Sequence, residues 1–74
     1  MTRTMHRFLV VIEKADGNYS AYCPDLPGCI ATGDTPEETE ANMHEALQLH
    51  VEGMIEEGEP ISESAALAEY MFVA

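Results

Sequence analysis

At 74 residues the chain makes a single domain, 1–74, and a core too small to be secure alone: about 60% of the unfolded surface is buried at this size. Two cysteines exclude a disulfide framework, so a second copy or a tight partner is the expected supplement. Fourteen Asp and Glu against three Lys and Arg give a net charge of −11, which serves solubility, disfavours nucleic-acid phosphates and anionic membranes, and favours a cationic partner.

The N-terminal lead, Met1 to Arg7, carries Arg3 and Arg7 ahead of the apolar run Phe8–Ile12. That run is too short for a signal-peptide core, and no stretch approaches the roughly 20 apolar residues of a membrane span. A cytoplasmic location with reduced thiols is expected. The β-branched content of Phe8–Ile12 and the Asp16-Gly17-Asn18 turn beyond it predict a strand. Both of its parities are apolar, Phe8, Val10 and Ile12 against Leu9 and Val11, which predicts a central strand covered on both faces. The turn residues tolerate positive φ, so Tyr19–Cys23 should return as a second strand of a hairpin. Pro24-Asp25-Leu26-Pro27-Gly28 forbids ladder pairing, and Cys29–Thr32 reads as a third strand.

Thr35-Pro36-Glu37-Glu38 combines a hydroxyl N-cap, proline at the first helical position and the glutamate of a capping box. Apolar residues then recur at Met43, Ala46, Leu47, Val51 and Met54, the spacing of one buried helical face. Gly58 and Pro60 end the helix, giving a length of about 22 residues. Glu38, Glu45, Glu52 and Glu56 fall within a stripe about 40° wide, with Leu49 at its margin. The stripe is either a solvated face or an acidic docking ridge with Leu49 as a small anchor. Segment 61–69 reads as a helical turn or two or an ordered connector, able to fold back over the sheet. Tyr70–Val73 reads as a last strand, parallel to the first through a right-handed crossover. The fold class is therefore α/β in the α+β two-layer sense, ordered β-β-β-α-β, with one helix on one face. The other face, or an edge strand, needs cover from a homo-oligomer or a partner.

With these elements placed, the chain resembles the HicB antitoxins of type II HicA–HicB toxin–antitoxin systems. The likeness rests on Arg-Phe-Leu-Val-Val-Ile-Glu-Lys (7–14) followed by Asp-Gly-Asn-Tyr (16–19). It continues in Tyr-Cys-Pro-Asp-Leu-Pro-Gly-Cys (22–29), Thr-Gly-Asp-Thr-Pro-Glu-Glu-Thr-Glu-Ala-Asn (32–42) and Glu-Glu-Gly-Glu-Pro-Ile (56–61). The resemblance implies a partial ribonuclease H-like sheet. It also implies a partner, a small basic RNA-cleaving HicA-type toxin with a double-stranded-RNA-binding-like fold, whose catalytic histidine the antitoxin covers. Many members of that family add a C-terminal DNA-binding module, which the sequence through Ala74 does not show, so direct nucleic-acid binding is not expected. An orphan HicB-like module that assembles with itself is the alternative.

Candidate chemistry is sparse. Magnesium-dependent nuclease action needs converging carboxylates from the first strand, the helix and the last strand. Phe8–Ile12 and Tyr70–Val73 contain none, and Glu13 stands at the first strand's end, so no enzyme activity and no cofactor are expected. Cys23 and Cys29 lack a second cysteine pair for zinc, and His44 and His50 lie about 120° apart on the helix, so no metal site is expected. The cysteines read as core, His50 as a histidine at the core margin, and Met5, Met43, Met54 and Met71 as core filler. The candidate partner-binding residues are Asp25, Leu26 and Pro27 on the proline-stiffened loop, and Glu45, Leu49, Glu52 and Glu56 on the helix. A dimer or tetramer is expected.

Overall fold

The computed structural model of the chain describes residues 5–74; Arg3 and the start of the N-terminal lead lie outside them. Strands β1 (Val11–Ala15), β2 (Asn18–Tyr22) and β3 (Ile30–Gly33) form an antiparallel meander, followed by helix α1 (Pro36–Glu56). The two-layer α+β arrangement is the one the sequence predicts.

Register follows from turn chemistry. Ala15 pairs with Asn18 across Asp16-Gly17, and Gly17 has a φ of 77° that a side chain would resist. From that turn the ladder runs back to Val11↔Tyr22 and stops, because Pro24 cannot continue it as a donor. The paired strand is therefore shifted relative to the apolar run: Phe8–Val10 project beyond the ladder and contribute side chains, not backbone bonds. Loop 23–29 is two successive turns, closed by Leu26 N–H to Cys23 O (3.2 Å) and Cys29 N–H to Leu26 O (3.1 Å). In the second turn Pro27 holds the first central position and Gly28, at φ 88°, the second, the type II pattern.

The helix starts and stops as its sequence dictates. Thr35 is the N-cap, its Oγ1 accepting from Glu38 N–H at 3.1 Å, with Pro36 at the first helical position. At the other end Gly58, at φ 70°, donates to Ile55 O (3.1 Å) while Glu59 donates to Met54 O (2.9 Å), a Schellman closure.

The directly paired residues Ile12, Ala21 and Ala31 form the inner face, and α1 lies over β3 and β2. Ala21, Cys23, Leu26, Cys29 and Met43 make the core, with Phe8, Val10, Ala46, Leu47 and Met54 packed around it. Close approach of α1 to β3 depends on Gly33, where a Cβ would come within 2.7 Å of the Thr39 backbone nitrogen. Thr39 is fully buried and returns its hydroxyl to Thr35 O at 2.8 Å, so the core margin carries no unsatisfied polar group.

Three expectations are corrected. The strand order β1-β2-β3 makes β1 an edge strand, not a central one. Among the described residues, Tyr70–Val73 pairs with no strand and stays exposed; segment 61–69 takes the connector form of its two expected readings. Met5 and Met71 are exposed instead of filling core. On the outer face the row Val11–Tyr22–Ile30 leaves Tyr22 and Ile30 open to solvent and Val11 half-buried, with no element among the described residues covering it.

Candidate protein interface

The helix divides its surface by angle. Met43, Leu47 and Met54 face the sheet, and about 180° away stand Glu38, Glu45, Glu52 and Glu56, all exposed. Leu49 lies among them, 62% exposed. The carboxylates have different effects along the helix. Glu37 and Glu38, in the first turn, oppose the positive end of the dipole and stabilise it. Glu52, Glu56, Glu57 and Glu59 crowd the negative end, where the last turn holds no basic residue. Each carboxylate placed there costs the isolated helix about 0.3–1 kcal/mol, and the Glu52–Glu56 spacing adds a like-charge neighbour. Folding gains nothing from this cluster.

The loop candidates fare differently. Leu26 is buried in the core beside Cys23 and Cys29 because the two turns fold its side chain inward, so it offers no exposed anchor. Asp25 is engaged within the chain: its carboxylate accepts from the Ser64 hydroxyl and from Ala65 N–H at 3.3 Å. Together with Ser64 N–H to Arg7 O (3.1 Å), these bonds tie segment 61–69 to loop 23–29 and to the residues that lead into β1. Pro27 remains exposed at the loop tip. The structure thus brings Glu45, Leu49, Glu52 and Glu56 onto one surface and separates them from Asp25, Leu26 and Pro27. His50, expected at the core margin, is exposed, although on the helical wheel it lies between the buried Thr39 and Met43.

Sequence reasoning missed a second surface. Because α1 covers β3 and β2 and barely reaches β1, a groove opens between helix and edge strand. Phe8, Val10 and Ile12 line one wall, Leu47, Val51 and Ile55 the other, and Glu37, Glu40, His44 and Glu52 its rim. The parity of Phe8, Val10 and Ile12 was the signal available for it.

The thiols are structural. Cys23 and Cys29 are free and buried, and burial, with a smaller repulsion from Cys23, pushes the Cys29 thiol above its ordinary value. Such a thiol is a poor nucleophile at neutral pH. Among the described residues, no three His, Cys, Asp or Glu side chains are grouped to hold a metal ion. Among them, too, no helix is long and apolar enough to cross a membrane.

The chain was compared with known proteins. The family model described as the HicB-like antitoxin of bacterial toxin–antitoxin systems matches residues 8–73. A 14.9 kDa protein of Haemophilus phage HP1, encoded between rep and hol, is 39% identical over 62 residues, covering 84% of this chain and 47% of the phage protein. The chain thus spans about half the length of that relative. A UPF0150 protein of Synechocystis is 42% identical over 60 residues, 80% of this chain and 76% of its own. One from Thermoplasma acidophilum is 36% identical over 56 residues, 74% of this chain and 81% of its own. No solved structure matches the chain. The match runs from Phe8, where the apolar run begins, to Val73 in the exposed C-terminal segment, and the chain belongs to the HicB-like antitoxin family of bacterial toxin–antitoxin systems.

Proposed function

We propose that this antitoxin-family chain neutralises a small basic RNA-cleaving toxin of the HicA type by docking the solvent side of α1 over the toxin's cationic RNA-binding surface. One observation carries this reading: carboxylates gather at the negative end of α1, where they oppose the helix dipole and meet no basic residue. A cationic partner removes that penalty and turns the cluster into an attractive field. Glu45, Glu52 and Glu56 supply the charge and Leu49 the apolar contact at its margin. Masking needs no catalytic group, cofactor or metal on this chain. The net charge of −11 steers the encounter and keeps RNA itself away.

Co-expression with the small basic product of the neighbouring reading frame tests the reading. Toxicity should be suppressed and a complex recovered. Glu52→Lys combined with Glu56→Lys should weaken that complex about tenfold or more while the helical circular dichroism is kept. Full neutralisation by the charge-reversed chain would exclude this surface.

A further inference from the structure

The chain has a surplus strand and a vacant place for one. Tyr70, Met71, Phe72 and Val73 are 99, 85, 101 and 93% exposed, four consecutive large apolar residues that the described residues leave open to solvent. Their composition is that of a strand, and a water-exposed run of this kind is an association element. The segment is not loosely attached: Ser64 and Ala65 are held by Arg7 and Asp25, so the arm leaves the domain from a fixed point. It carries the molecule to 48 Å in its longest dimension and a radius of gyration of 14.1 Å, against about 11 Å for a compact chain of this length. The vacancy is the outer edge of β1, whose backbone groups on that side have no partner strand among the described residues, with the groove toward α1 beneath it.

We propose that Tyr70–Val73 adds as a strand to the free edge of β1 in a second copy of this chain, seating its inward side chains in the groove between β1 and α1, with the exchange made reciprocally. The groove's walls, Val10, Ile12, Val51 and Ile55, are apolar, and its charged lining sets Glu37, Glu40 and Glu52 against Arg7. An arm whose only charged side chain from Ala65 to Ala74 is Glu69 enters without strong repulsion. Self-complementarity follows, since one chain supplies both halves and a two-fold axis satisfies both at once. The area is adequate: aromatic residues bury about 150–250 Å² each, so two Tyr and two Phe bring roughly 600–1,000 Å². With Met71, Val73 and the covered groove walls, the total enters the range of about 1,200–2,000 Å² typical of specific interfaces.

The test uses the full chain without any toxin, so its failure is separate from failure of the antitoxin reading. Sedimentation should give a dimer of twice the 8.1 kDa chain. Because both copies carry −11, added salt should tighten this dimer, the opposite of its effect on a complex with a basic toxin. Phe72→Asp should raise the dissociation constant roughly 100-fold, the loss expected for a buried aromatic anchor, with helical content unchanged. Hydrogen exchange on the wild-type chain provides a readout independent of any variant's folding. Amides of Val11–Ala15 on the open edge should be protected in the dimer and lose protection on dilution. A concentration-independent monomer, a dimer indifferent to Phe72→Asp, or edge protection that persists in the monomer (closure of the arm on its own chain) would each overturn the proposal.

Discussion

Replacing Gly33 by alanine adds a methyl group at the point where β3 and α1 come closest. The new Cβ would stand 2.7 Å from the Thr39 backbone nitrogen, 2.7 Å from Thr39 Oγ1 and 3.0 Å from Thr39 Cα. Two of these three atoms belong to the helix backbone, so no rotamer change relieves the clash. The helix must retreat from the sheet by about half an ångström, and a retreat of that size already forfeits a quarter or more of each dispersion contact it loosens. Overpacking of this kind costs about 1–3 kcal/mol. A 74-residue domain has roughly 4–11 kcal/mol of stability in total, so the loss is a large fraction of it. In a chain this small each kcal/mol lowers the midpoint by about 4–8 °C. Thermal and urea unfolding at fixed chain concentration, with Thr39→Ala and the double variant completing a cycle, give the measurement. Removing Oγ1 relieves one of the three contacts, so the double variant should recover part of the loss and no more. A Gly33→Ala chain as stable as wild type, or full recovery in the double variant, would refute the idea that helix backbone against strand sets the layer spacing.

Two other glycines should respond with opposite signs: Gly53→Ala, in the last turn of the helix with open space around its Cβ, gains about 0.5 kcal/mol, whereas Gly58→Ala, at φ 70°, loses about 1–2 kcal/mol, both read from urea midpoints. Asp25→Ala removes the acceptor that holds Ser64 and Ala65, so exchange of the Ala65 amide and proteolysis within 61–69 should accelerate while the global midpoint moves by only about 1 kcal/mol. The raised Cys29 thiol makes stability fall at alkaline pH. Between the ordinary thiol value and the higher folded-state value the unfolded chain has lost a proton that the folded chain keeps, so stability is intact below that window and declines through it. Urea titrations across the window should show that slope in the wild type and a shallower one in Cys29→Ala.

Most of the fold was legible because its signals are local. Thr35, Pro36 and Glu38 fix the helix start and Gly58 its end, and each acts through bonds within four residues in sequence. Gly17 sets the hairpin and thereby the register of β1 and β2. The surface was less legible. Leu26 looked like a loop-tip anchor, but two turns in succession aim it into the core. Asp25 looked free for a partner, but Ser64, 39 residues away, takes it. His50 looked half-buried on a helical wheel but is exposed, though it shares the angular face of the buried Thr39 and Met43.

What the sequence by itself determined is the element types, their caps and turns, the single apolar helix face and the heavy negative charge, since these depend on near neighbours and on composition. Tertiary structure alone decided that α1 lies over β3 and β2, with Gly33 against Thr39, so that β1 is left as an open edge above an apolar groove. It decided, too, that the apolar C-terminal segment leaves the domain unpaired. The reason is physical: strand propensity states that a segment can pair, but the partner is chosen by where the rest of the chain leaves backbone groups and apolar surface uncovered.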